Sequence, residues 1–253
     1  MAGHDHMVGA IGADLQRGEL LNSTGTTEGL LFVRDAPDLG AAAEHAKLAN
    51  GISSTGSEYT LFASIPTGGS AFATLQGMLG LDAAQLTARI DDLHRRYVAG
   101  SLDPRSAPLV LPQFRGSPPP TKNAAARGMI AGLGSEVSSD DLILGCFLGL
   151  VLQFRDVLDL FPDRPERVKV IGPASRNPLW LQLKADLLGT QLSVSRFPEV
   201  VSRGAQALAS GVPSSWAACR PVELFADDRR TAVLEEWSRH VRPLWEHMKA
   251  APS

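Results

Sequence analysis

Near its start the chain reads Gly3-His4-Asp5-His6 and then runs into small apolar residues, with Gly9 and Gly12 among them. A carboxylate at a turn that opens such a segment can accept a proton from a substrate hydroxyl. Further on, Asn22-Ser23-Thr24-Gly25-Thr26 places a glycine among hydroxyls. Backbone N–H and side-chain O–H groups of that kind can approach phosphate oxygens closely. Gly172-Pro173-Ala174-Ser175-Arg176-Asn177 falls between a predicted strand and a predicted helix. That junction puts a ligand at a helix N-terminus and at the carboxyl end of a sheet strand. Gly68-Gly69-Ser70 also precedes a helical segment. Each segment alone is unspecific, because glycine turns before helices are common. His4-x-His6 has no third ligand nearby, so no structural metal site is expected.

The elements that must hold these residues follow from periodicity. Met7 to Leu15 reads as a short helix after a His4-Asp5-His6 turn, and Glu19 to Asn22 as a strand. Ser23 to Thr27 is a turn, and Glu28 to Val33 continues apolar. Gly51 to Ile65 alternates and predicts one or two strands. Ala71 to Leu79 reads as a helix. Asp82 to Val98 reads as an amphipathic one, with Leu86, Ile90, Leu93 and Tyr97 at helical spacing. Leu109 to Leu111 is a buried strand leading into Pro112 to Ala126, whose four prolines forbid a helix. Gly128 to Ile130 is extended. Ser138 caps a largely apolar helix that reaches about Leu160 and is expected to be central. Val168 to Ile171 and Leu192 to Ser195 are strands; Pro178 to Leu188, Val201 to Ala209 and Asp227 to Lys249 are helices. Trp180, Trp237 and Trp245 are expected to be packing residues. Strands alternating with helices predict an α/β fold.

Bulk properties exclude several classes of function. At 253 residues, with 44% hydrophobic and 20% charged residues, the composition is that of a globular protein. The net charge of −3 and the lack of a basic block argue against nucleic acid or anionic lipid as partners. Cys146 and Cys219 lack any partner spacing, which fits a reducing, cytoplasmic setting. The longest apolar stretch, Leu142 to Leu152, is too short to span a bilayer. The absence of G-x-G-x-x-G followed by a spaced acidic residue argues against a third reading, a dinucleotide-binding dehydrogenase module.

Taken in order, the segments resemble the FGGY family of carbohydrate kinases, which share the actin-like ATPase (ribonuclease H-like) fold, a mixed sheet flanked by helices. Ala2 to Ala10 looks like the catalytic segment that opens the family's second domain, and Ser23 to Glu28 like its phosphate-binding turn. Leu111-Pro112, Arg115 to Pro118 and Ala126 to Leu133 are similar to its proline-rich loop and glycine signature. Asn177 to Asp186 resembles the helix after the adenine-site turn. Glu199, Gly204 and Ala205 fall where the last glycine-alanine helix begins. The resemblance runs from Gly3 to about Gly211. It implies ATP with Mg²⁺, and a sugar or polyol as acceptor. Asp5 would be the general base, and His4 and His6 would contact the substrate. Gly25 and Thr26 would hold the β- and γ-phosphate region, Gly69 would line the nucleotide site, and Gly172 and Asn177 would lie by the adenosine. Residues 1–215 would form the ATP-binding domain, and 216–253 a helical extension packed on it.

The chain departs from the family pattern in three ways. Family members carry an N-terminal domain of about equal size, whereas this chain begins almost at Asp5. Met1 is therefore a true start or a fragment boundary. With that wall absent, Asp5 would face water and the isolated chain would show little or no kinase activity. The exposed face would be open to a separate N-terminal half or to a second copy in a homodimer. Consecutive glycines of the adenine turn are replaced by Pro173 and Ala174, which weakens the expected hold on ATP. Pro118-Pro119-Pro120 replaces an aromatic residue and an aspartate. The alternative reading is a non-catalytic remnant that binds nucleotide weakly or binds a protein partner.

Overall fold

The structure is a computed structural model and describes residues 4–251. Ala2 and Gly3, the first residues of the proposed catalytic segment, lie outside the described residues, as do the start of the 1–215 unit and the end of the 216–253 unit.

Helix α1 (Asp5–Gly12) opens the chain. It starts two residues earlier than the sequence suggests, with Asp5 inside the first turn and His4 at the cap. It stops at Gly12 because the chain turns through Asp14, whose φ of 48° is left-handed. Strands β1 (Glu19–Thr24) and β2 (Glu28–Arg34) form an antiparallel hairpin. A short helix α2 (Ala41–His45), not foreseen from the sequence, precedes β3 (Ala49–Ile52) and β4 (Tyr59–Ile65). Helices α3 (Ser70–Leu79) and α4 (Ala83–Val98) follow, then the small ladder of β5 (Leu109–Leu111) and β6 (Met129–Ala131). The proline-rich loop between them contains no helix.

Helix α5 (Ser139–Leu158) is buried along most of its length, as its apolar run dictates. Next come β7 (Arg167–Ile171), α6 (Pro178–Leu188), β8 (Leu192–Val194) and α7 (Val200–Ser210). The chain closes with β9 (Val222–Leu224), also not foreseen, and α8 (Asp228–Ala250). Strand β9 pairs antiparallel with β8, so the C-terminal segment contributes a strand to the main sheet as well as a helix.

The main sheet has seven strands in the order β3-β4-β2-β1-β7-β8-β9. Strands β1, β7 and β8 are parallel neighbours, and the flanking pairs are antiparallel. Strand alternation assigns each face its own core. Leu20, Leu30 and Phe32 point to the α5/α6 side, where they meet Phe154, Val157 and Leu181. Leu21, Leu31 and Val33 point to the α1/α7 side, where they meet Ala10, Ala13 and Val200. A third apolar cluster joins α3, α4, α5, α6 and α8 and contains Trp180, Trp237 and Trp245.

Candidate active site

Two glycines set the position of Asp5. Helix α1 lies against α7 so closely that a Cβ on Gly12 would overlap the Val200 carbonyl, and one on Gly204 would overlap the Val8 carbonyl. The small residues in these helices therefore let two backbones touch. Ser214 Oγ donates to the freed Gly12 carbonyl at 2.8 Å and fixes the end of α1. At the other end, the Asp5 carboxylate has no partner among the described residues and is exposed.

His4 and His6 stack with ring centroids 4.9 Å apart, and His6 rests 4.7 Å from the Phe62 ring. His6 Nδ1 hydrogen-bonds Ser23 Oγ, in space that Gly29 leaves open. Burial, reinforced by His4 and opposed by Asp5, lowers the His6 imidazole from 6.5 to about 4. His6 is therefore neutral near pH 7.

The Gly25-Thr26 turn joins β1 to β2. It docks on the start of α3, with Gly69 N–H donating to Gly25 O at 2.8 Å, and Gly68 and Ser70 N–H to Thr26 O at 3.1 Å each. The Gly69 N–H is thus already engaged. What Gly69 supplies is closeness, since a Cβ there would stand 2.6 Å from Gly25 O. Behind the turn, Asn22, Glu28 and Lys184 form a fully buried network. Lys184 Nζ pairs with Glu28, donates to Asn22 Oδ1 at 2.7 Å and lies over the Phe154 ring. This network ties the hairpin to α6.

The second turn begins at Gly172, with φ +100°, where a Cβ would stand 2.5 Å from Thr24 O. Thr24 Oγ1 donates to Ile171 O at 2.8 Å. Both turns are therefore pinned together at the carboxyl ends of parallel β1 and β7. Residues Pro173–Arg176 form one turn of 3-10 helix rather than an open turn. Asn177 caps α6: its Oδ1 accepts from Trp180 N–H at 3.0 Å. Its Nδ2 is buried without a partner.

Two cavities adjoin here. One, of about 680 Å³, is bordered by His4, Asp5, His6, Gly172 and Glu199. The other, of about 690 Å³, is bordered by Gly69, Arg115, Ala174 and Asn177. Gly25, Thr26, Pro173 and Arg176 border both. Every site residue expected from the sequence lines one cavity or the other. The sequence reading assigned no role to three arginines at these cavities. Arg176 belongs to both, Arg196 to the first and Arg115 to the second, and none makes an ion pair with a described residue. Cations in loops beside glycine turns were the available signal. Among the described residues no three His, Cys, Asp or Glu side chains gather as a metal cage. An ion carried with phosphates needs only one or two carboxylates, and Asp5 and Glu199 border the first cavity.

Residues 20–211 match the family described as FGGY family of carbohydrate kinases, C-terminal domain. The chain belongs to this family. The match begins downstream of Asp5. A glycerol kinase from Pseudomonas fluorescens is 29% identical over 209 residues, covering 80% of this chain and 40% of that protein. One from Vibrio vulnificus is 31% identical over 163 residues, covering 62% and 31%. Among solved structures, a xylulose kinase from Rhodospirillum rubrum superposes with a TM-score of 0.77 at 20% identity, over 98% of this chain and 51% of that one. Plasmodium falciparum glycerol kinase with ADP gives 0.73 at 20% identity, over 94% and 50%. These likenesses establish the actin-like ATPase fold of FGGY kinases. The chain spans 40% of the first of these curated relatives and about half of the solved ones. Among the described residues, no helix is long and apolar enough to cross a membrane.

Proposed function

We propose that this chain is the nucleotide-binding half of an ATP-dependent carbohydrate kinase, with transfer occurring where the two cavities meet. The shared wall carries this reading: Gly25, Thr26, Pro173 and Arg176 border both spaces. Adenosine would occupy the second cavity beside Gly69, with Gly172 closing the turn and the unpartnered Asn177 Nδ2 as a donor. Gly25 and Thr26 would hold the β- and γ-phosphates, and the unpaired Arg176 guanidinium adds positive charge there. A sugar or polyol would enter the first cavity against His4 and His6. Its hydroxyl oxygen attacks the γ-phosphorus, the bond to the β,γ-bridging oxygen breaks, ADP departs and Asp5 takes the hydroxyl proton. A neutral His6 leaves the Asp5 charge uncompensated for that task. Mg²⁺ carried with the nucleotide would be held by Asp5 and Glu199 and would supply positive charge beside the phosphates.

The acceptor is a small polyol or ketose, in keeping with the glycerol and xylulose kinases among the relatives. Exposure of Asp5 supports a requirement for a complementary half to close and dry the cleft. That half is the expected partner.

Pro173 and Ala174 favour a second reading, a domain that binds nucleotide weakly or a protein partner without catalysis. Proline removes an N–H from the nucleotide turn and alanine adds a Cβ to it. Calorimetry with Mg-ATP separates the two. Micromolar binding, weakened about tenfold by Asn177→Asp, supports the kinase reading. That variant keeps the α6 cap acceptor and removes the donor. No heat of binding at any nucleotide concentration favours the second.

A further inference from the structure

A third cavity, of about 470 Å³, shares no lining residue with the two at the active site. It lies between the C-terminal half of α5, the proline-rich loop and the end of α8. Helix α5 presents Gln153 and Asp156 to it, three residues apart on one face, and Asp159 and Leu160 just past its end complete that wall. Gln153 is only 2% exposed, yet neither its Nε2 nor its Oε1 has a hydrogen-bond partner. A buried amide with donor and acceptor both open is strongly disfavoured, and native proteins rarely leave one so.

The neighbouring charges are already engaged. Asp156 accepts from Arg242 Nη1 and Trp245 Nε1 at 2.7 Å each, and from Lys249 Nζ at 3.1 Å. Lys249 also reaches Glu246 at 3.0 Å. The Arg127 Nη1 donates to the Ala125 carbonyl at 2.7 Å, which holds its own loop. The lining has three acids, Asp156, Asp159 and Glu246, against two bases, Arg127 and Lys249. An anionic ligand would therefore find no uncommitted ammonium. Pro118, Pro119, Trp245 and Met248 supply apolar walls.

We propose that this cavity binds a small, neutral, planar molecule that presents a hydrogen-bond donor and acceptor side by side. The edge of a primary carboxamide or of a nucleobase has this form. Gln153 would recognise that edge with its complementary amide pair, while the prolines, Trp245 and Met248 cover the ring. The site is independent of the phosphoryl-transfer reading, because it rests on the orphaned amide of a helix that contributes no residue to either active-site cavity.

The test is a titration of the ¹⁵N-labelled chain, watching the Gln153 side-chain NH₂ signal, which is assigned by through-bond correlation to the Gln153 backbone. Nicotinamide probes the carboxamide form and uracil the nucleobase form. Methyl nicotinate, which keeps ring and carbonyl but has no N–H, is the control. The expected result is a saturable shift of the Gln153 signal with nicotinamide or uracil, and binding about tenfold weaker for methyl nicotinate and for Gln153→Met. The methyl nicotinate comparison needs no variant, so it stands even if Gln153→Met misfolds. A signal unmoved by both probes at millimolar concentration overturns the proposal, as does equal affinity for methyl nicotinate. In either case the amide is solvated by water alone.

Discussion

His6 is where burial most changes the chemistry of a single residue near Asp5. Its imidazole is lowered from 6.5 to about 4 by burial beside Ser23 and Phe62. An unfolded chain protonates this ring as pH falls through 6.5, whereas the folded chain does so only near 4. The folded state therefore binds fewer protons in that window, and stability falls as pH drops through it. Above the window His6 contributes no pH dependence. Proton NMR should show the His6 ring titrating near 4, and the melting temperature should decline less steeply on acidification in His6→Gln than in the wild type. At this scale the sequence was informative where a residue type is forced by backbone geometry. Gly172 and Asn177 belong to that group, one at a left-handed φ and one at a helix cap. Arg176 was not legible, because loop arginines usually point to solvent and only the fold brings its turn against Gly25 and Thr26. Gln153 was hidden within an apolar run that reads as core.

Elements are positioned here by contacts that tolerate little change. Gly204→Ala would drive a methyl group into the Val8 carbonyl and push α1 from α7, displacing Asp5. A loss of about 1–3 kcal/mol is expected, read as a fall of roughly 2–12 °C in melting temperature. The Lys184–Glu28 pair gives a different signature. Lys184→Met strands the Glu28 carboxylate in a fully buried setting and should destabilise by about 3–5 kcal/mol. The double variant Lys184→Met/Glu28→Leu should recover much of that, as denaturant melts of the four proteins would show. The longer elements were legible because α4, α5 and α8 carry sustained periodicity or apolar runs with capping residues. Helix α2 and strand β9 were not, being five and three residues long. Nor could local pattern show that β1 pairs with β7, which is remote in sequence. Lys169, Lys184 and Asp186 also defeat a polar-outside reading, since each is buried by partners from distant elements.

For the whole molecule, the first cavity opens beside an exposed Asp5, while the relatives are about twice as long as the stretch they share, or longer. Phosphoryl transfer depends on positioning and on exclusion of water, which one wall does not provide. The isolated chain should therefore bind Mg-ATP without releasing ADP in response to sugars, as calorimetry and a coupled ADP assay run side by side would show. The most direct test joins this chain to an N-terminal FGGY half that completes the cleft and measures ADP release over a panel of polyols and ketoses, with Asp5→Asn in parallel. Release is expected to depend on one of these acceptors and to fall about 10²–10⁴-fold in Asp5→Asn with Mg-ATP affinity retained. An assembled complex that binds Mg-ATP yet releases no ADP with any acceptor, or releases it equally well in Asp5→Asn, would contradict the kinase reading.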